Sequence, residues 1–212
     1  ALLVSIPVIL QPELRRALER LGRTVGGTGH LATAAHELST ADGVAEVSAA
    51  CARLSERNHG ALIVIERSTG LEDVIESGIQ LDSRVTMELL LTIFFPNTAL
   101  HDGAVIIRQG RIVAASCVLP LADDTIEDRQ MGLRHRASIG VTQESDAVAV
   151  VVSEETGLIS VARNGRMVRG LDAEELVHDL QETFPPSRPP SLSGLFRDVR
   201  DRVGDALGDQ TP

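Results

Sequence analysis

Three aliphatic runs without a charge punctuate the chain, over residues 61–65, 104–107 and 147–152. Apolar runs of this length, bounded by polar residues, predict strands buried on both faces. Between them the period changes. Val44, Val47, Cys51 and Leu54 recur at helical spacing, and residues 71–75 and 85–95 carry helical patterns too, the second stopped by Pro96-Asn97. Ser39, with Asp42 three residues on, predicts the start of the first helix after a glycine-rich loop over 24–37. Gly110 turns the second strand back into a hairpin partner over 111–119, and residues 131–141 predict a further helix. Asn164-Gly165 accepts positive φ at both positions and predicts a tight hairpin between 158–161 and 166–168. Asp172 and Glu175 predict a capping box on a last helix that ends near Phe184. The fold class is α/β: a mixed central β-sheet of roughly six strands flanked by helices, without the strict βαβ alternation and glycine fingerprint of a dinucleotide fold.

The two ends of the chain differ from this pattern. Residues 1–10 are apolar but too few to cross ~30 Å of hydrocarbon. An amphipathic stretch over 11–22 follows, with Leu14, Leu18 and Leu21 on one stripe and arginines just past the apolar run. This start, which lacks an initiator Met, reads either as the exit of a membrane helix that belongs to a longer protein or as an ordinary helix packed on the domain. Residues 185–190, rich in proline, predict a stiff extended linker. Beyond it Leu195, Val199, Val203 and Leu207 recur every fourth residue, an amphipathic pattern whose three arginines are offset by four aspartates. That balance favours packing on protein over a membrane surface. The expected organisation is a connector over 1–23, a domain over 24–184 and a tail over 185–212.

Composition narrows the function. The 212 residues hold 30 carboxylates against 20 basic residues, all of them arginine, for a formal charge of −10. Such a surface repels nucleic acid, so a bound polyanion needs a local arginine cluster or a divalent metal. With no Trp or Tyr and four Phe, the core must be aliphatic. Cys51 and Cys117 form no metal knuckle or disulfide framework and predict buried fillers in a reducing compartment.

Three short segments carry chemistry. His101-Asp102-Gly103 lies at the mouth of the second strand, where Asp102 can hold a metal or polarise a hydroxyl and Gly103 leaves room for a phosphate or sugar; taken alone, the segment reads first as a turn. Arg134-His135-Arg136 follows Gly132-Leu133 at a helix start. Its guanidinium forks fit phosphate, or a structural salt bridge, and positions 134 and 136 cannot share one helix face. Ser153-Glu154-Glu155 follows the third strand, where paired acids suit a hard cation or a polar turn. With His101 and Asp102 they offer an open oxygen-and-nitrogen site for Mg²⁺ or Mn²⁺. His30, His36, His59 and His178 show no zinc spacing.

In order and spacing, these three segments together resemble the diadenylate cyclase domain, and residues 11–22 are similar to the segment after the transmembrane helices in the membrane-anchored CdaA-type class of that family. The resemblance covers roughly residues 1–184. It implies a homodimer that condenses two ATP molecules into cyclic di-AMP and two pyrophosphates, with Mn²⁺, Mg²⁺ or Co²⁺. It further implies attachment to the cytoplasmic face of the membrane through an upstream anchor, possible regulatory protein partners and no nucleic-acid partner, the present chain itself being soluble. By the same resemblance Asp102 activates the attacking hydroxyl, Arg134 and Arg136 hold phosphates, His135 orients its neighbours and Gly103 admits the ribose. Ser153 and Glu154 contact substrate, and His101 and Glu155 hold the metal. Two positions depart from the family pattern: Leu133 stands where threonine is frequent, and Val118 where tyrosine often stacks on adenine. Ile65, Met87 and Leu119 are then the candidate apolar walls, and weaker ATP binding is expected. A non-catalytic nucleotide sensor and a metal-dependent phosphohydrolase are the competing readings.

Overall fold

The three uncharged runs become the adjacent centre of one sheet. The computed structural model describes residues 29–122 and 131–185. In chain order the elements are α1 (Gly29–Glu56), β1 (Ala61–Ile65), α2 (Glu72–Glu76), β2 (Ile79–Arg84), α3 (Met87–Ile93), β3 (Ala104–Arg108), β4 (Arg111–Cys117), α4 (Leu133–Glu144), β5 (Val148–Val152), β6 (Ile159–Arg163), β7 (Arg166–Leu171) and α5 (Ala173–Thr183). Among the described residues the sheet has seven strands in the order β2-β4-β3-β1-β5-β6-β7. β1 and β3 run parallel, and every other pairing is antiparallel. The chain divides into two units, Ala1–His36 and Glu37–Pro212, and the sheet belongs to the second.

Alternation along the central strands sorts their side chains between two cores. Ile63, Val105 and Val150 face one side with Val47, Leu54, Leu90, Phe94 and Leu176, contributed by α1, α3 and its C-terminal cap, and α5. Val64, Ile106 and Val151 face the other with Ile75 of α2 and Ile139 of α4. Both faces are therefore covered, which is why these strands read as continuous apolar runs. Burial pushes the Cys51 thiol up to about 12 and the Cys117 thiol up to about 11, so neither offers a thiolate at neutral pH.

Two local expectations are met in detail. Asn164 and Gly165 adopt φ of 49° and 71° between β6 and β7. The Asp172 side chain accepts from the backbone N–H groups of Glu174 and Glu175, and Glu175 accepts from the Asp172 N–H. Two others change. α1 begins at Gly29 and runs through Ser39, because residues 30–38 contain no proline and are dominated by residues that tolerate a helix, so Ser39 lies inside the helix and not at its start. β2 is a seventh strand that apolar patterning does not reveal: it is a polar edge, with Asp82 at φ 48° in a bulge held by Arg111, whose Nε donates to Asp82 at 2.7 Å. The amphipathic stretch over 11–22 and the amphipathic tail lie outside the described residues. No helix among the described residues is long and apolar enough to cross a membrane.

Candidate active site

Ala61 of β1 pairs with Val152 of β5, and β3 enters the sheet at Ala104, so one end of the sheet gathers the loops before β1 and β3 and after β5. There a cleft of about 650 Å³ opens, lined by His101, Asp102, Gly132, Leu133, Arg134, His135, Ser153, Glu154 and Glu155, and further along by Leu158, Ser160 and Arg169. All three sequence segments meet in it.

The Pro96-Asn97 turn sets the first segment. Asn97 sits at φ 67°, and the Thr98 hydroxyl donates back to the Ile93 carbonyl at 2.9 Å, which folds the chain onto the end of α3. His101 Nδ1 lies 2.6 Å from the Thr98 carbonyl. A carbonyl only accepts, so Nδ1 carries the proton and Nε2 keeps its lone pair for a ligand. Asp102 is exposed, its backbone carbonyl held by the Ser116 hydroxyl at 2.7 Å. Gly103 has φ 104°, and a Cβ there would stand 2.8 Å from the Cys117 carbonyl oxygen. Glycine at this position therefore serves the close approach of β4 in the first place.

The second segment opens α4. Gly132 caps the helix without a side-chain acceptor, leaving first-turn N–H groups directed at the cleft end. Arg134 Nη1 donates to Glu154 Oε2 at 2.6 Å, while its buried Nε has no hydrogen-bond partner. Both side chains of this pair lie over Gly60: a Cβ there would come within 2.9 Å of Arg134 Nη1 and of Glu154 Oε2. Arg136 points elsewhere, its Nη2 donating to the Ala122 carbonyl at 3.3 Å while the Ala122 N–H donates to the Arg136 carbonyl. The two arginines thus use different faces of α4, as their spacing required.

The third segment is a folded turn. The Gly157 N–H donates to the Ser153 carbonyl at 2.9 Å, the Ser153 N–H to the Leu158 carbonyl at 3.0 Å, and the Thr156 N–H to Ser153 Oγ. The Ser55 hydroxyl at the end of α1 donates to the Gly157 carbonyl and ties the turn down. Glu154 and Glu155 are exposed on it.

Not every expected residue reaches the cleft. Ile65 pairs with Val148 and Ile107 at the opposite end of β1, four residues and about 13 Å from Ala61 at ~3.3 Å per residue. Met87 belongs with it, because Val85 bonds to Gly110 in the β3–β4 turn at that same end. Leu119 is buried in the core beside α4. Val118 is 71% exposed, with its N–H donating to Ser77 Oγ, and it does not line the cleft. Conversely, Gly60, Ser160 and Arg169 come to the site without having been marked in the sequence. Gly60 carried a signal, a glycine directly before a buried strand; the other two depend on strand register.

The donor set suits a divalent ion shared with phosphate oxygens. His101 Nε2, Asp102 and Glu155 face one cleft, yet no group of three or more His, Cys, Asp or Glu side chains among the described residues is close enough to hold a metal ion by itself.

Comparison with known proteins bears on this cleft. The family described as DisA bacterial checkpoint controller nucleotide-binding (DAC) matches residues 48–167. Cyclic di-AMP synthase CdaA of Bacillus subtilis is 44% identical over 181 residues, which is 85% of this chain and 66% of that protein. A diadenylate cyclase of Listeria monocytogenes is 42% identical over 176 residues, 82% of this chain and 63% of its relative. The chain thus spans just under two thirds of the length of these curated relatives. Among solved structures, a double mutant of DacA from Staphylococcus aureus superposes with a TM-score of 0.66 at 44% identity, covering 68% of this chain and 96% of the other. A hypothetical membrane spanning protein from Bacillus cereus gives 0.59 at 45% identity, covering 60% and 63%.

Proposed function

This chain belongs to the DAC family, DisA bacterial checkpoint controller nucleotide-binding, and from that premise we propose that it is a diadenylate cyclase that joins two ATP molecules into cyclic di-AMP with release of two pyrophosphates. The observation that carries the reading is the convergence of His101-Asp102, Arg134-His135 and Ser153-Glu154-Glu155 on one cleft at one end of the sheet.

Each 3′-hydroxyl must attack the α-phosphorus of the other ATP in line, forming an O–P bond as the bond to pyrophosphate breaks. Asp102, exposed at the cleft, accepts the hydroxyl proton. Arg134 is engaged by Glu154 and transfers at least one N–H to a phosphate oxygen; its unpartnered Nε and the open first turn of α4 add donors where negative charge grows. Ser153 Oγ contacts the triphosphate. Arg136 acts through the 122 loop that it holds, and His135 orients the start of α4. His101 Nε2 and Glu155 hold Mn²⁺, Mg²⁺ or Co²⁺, which when bound offsets charge on the phosphates.

The product has twofold symmetry, so two identical half-sites must face each other across an isologous homodimer. The likeness of residues 11–22 to the segment after the transmembrane helices of the CdaA-type class supports an anchor upstream of this chain that places the whole protein at a membrane. The test is incubation with ATP and Mn²⁺ followed by mass analysis. Cyclic di-AMP and pyrophosphate in a 1:2 ratio is the expected result; ADP, AMP or a linear dinucleotide would favour hydrolysis, and bound but unchanged ATP would favour a sensor.

A further inference from the structure

The cleft extends beyond the residues that the proposed reaction uses. From Asp102 at the entry of β3 it passes the Arg134–Glu154 pair, which lies over Gly60 before β1, and Ser153 after β5, then Ser160 on β6, and ends at Arg169 on β7, the edge strand. Four strand spacings separate β3 from β7, about 19 Å at ~4.8 Å each. That is longer than the reacting hydroxyl and α-phosphate require, and comparable to an extended nucleoside triphosphate.

Local structure aims Arg169 at this cleft. Ser160 and Arg169 are directly paired across β6 and β7, so their side chains share a face. Ser160 is buried and lines the cleft. The register shifts immediately afterwards, with Ile159 opposite Leu171, and Gly170 takes up the extra residue at φ 74°. A Cβ at Gly170 would meet nothing within 4 Å, so glycine serves the backbone turn there and not a contact. Bulges of this kind re-aim a neighbouring side chain.

Charge balance supplies the need. The cleft presents Asp102, Glu154 and Glu155 against two guanidiniums, Arg134 and Arg169, and Glu154 already engages Arg134. Arg136 turns to the Ala122 carbonyl. A triphosphate tail entering this acidic lining needs a second fork at its far end.

We propose that Arg169 binds the terminal phosphates of the nucleotide and stays with pyrophosphate as it departs. This rests on the cyclase reading for the reaction, while the binding itself is measurable without turnover. Arg169 lies on an exposed edge, so its replacement leaves the two cores intact.

The experiment compares wild type, Arg169→Met and Arg169→Lys for binding of ATP, AMP and inorganic pyrophosphate, each with Mn²⁺. The expected result is an approximately tenfold loss of affinity for ATP and pyrophosphate in Arg169→Met, with AMP unchanged and partial recovery in Arg169→Lys. Equal losses for ATP and AMP, or no loss for either, would overturn the assignment. Wild type that binds ATP but makes no cyclic di-AMP would contradict the cyclase reading and leave the Arg169 comparison decisive for binding. Wild type that binds neither ATP nor pyrophosphate would contradict both.

Discussion

The two ends of the central strands are both rich in charge, yet they are built differently. At the end where β1 finishes, Arg108 Nε and Nη2 donate to the two oxygens of Glu66 at 2.6 and 2.7 Å, Nη2 also reaches Glu72, and Glu66 accepts the Leu71 N–H. The hydrogen bond to Glu66 raises the Arg108 pKa further. Nearby, Asp146 accepts the backbone N–H groups of Ser68 and Thr69 and closes the loop between them. At the cleft end Arg134 has one short contact to a carboxylate that is 62% exposed, a buried Nε without a partner, and open space above it. Saturated charges at a strand end hold the fold, whereas incompletely satisfied ones beside a cleft are available to a ligand. Arginine–carboxylate pairs at both ends would look alike in a count of salt bridges.

Substitutions at the two ends should separate these roles. The largest effect is expected for Asp102→Asn, which should lower cyclic di-AMP formation by roughly 10³-fold, within the range for a general base, at unchanged melting temperature. A turnover assay beside thermal denaturation checks both halves. Arg134→Met should weaken ATP binding by about 30-fold, the equivalent of ~2 kcal/mol for lost charged hydrogen bonds, as read by calorimetry. Arg108→Met should do the reverse, costing about 2 kcal/mol of folding stability in urea denaturation while leaving ATP affinity intact, since it strands the Glu66 carboxylate, which is 9% exposed.

Gly60→Ala sharpens the contrast at smaller scale. Its methyl would press on Arg134 Nη1 and Glu154 Oε2, the ends of flexible side chains, and stand 3.0 Å from Glu154 Cβ, so a several-fold rise in KM for ATP is expected with a small change in stability. The smallest effect concerns acid. Burial pushes the Asp146 carboxyl up, but the backbone N–H donors of Thr69 and Ser68 outweigh it and hold the group below its ordinary value. A depressed carboxyl contributes stability that is complete above the ordinary carboxylate range, near ~4, and is lost as pH falls through the folded value. Asp146→Asn should therefore lower the melting temperature at about pH 7, with the gap to wild type closing below pH ~4.

Most of this architecture was legible in the sequence wherever local chemistry decides the outcome. The uncharged runs are central strands, Asn164-Gly165 is a hairpin turn and Asp172 with Glu175 is a capping box. β2 was not, because its exposed polar edge is defined by pairing with β4 and not by its own pattern. The site divides along the same line. His101, Asp102, Arg134 and Ser153 sit directly at element ends, where sequence position implies location. Ile65 and Met87 are apolar residues at the end of β1 and the start of α3, and strand direction carries them to the other end of the sheet. Arg169 enters the cleft through the register of β6 against β7 and a bulge, neither of which is written in nearby residues.

The most direct test compares cyclic di-AMP formation from ATP and Mn²⁺ by wild type, Asp102→Asn and Glu66→Gln, all assayed below their melting temperatures. The account predicts product from wild type and Glu66→Gln at similar rates and roughly 10³-fold less from Asp102→Asn. An undiminished rate in Asp102→Asn, or loss of product in a folded Glu66→Gln protein, would contradict the assignment of the reaction to the open end of the sheet.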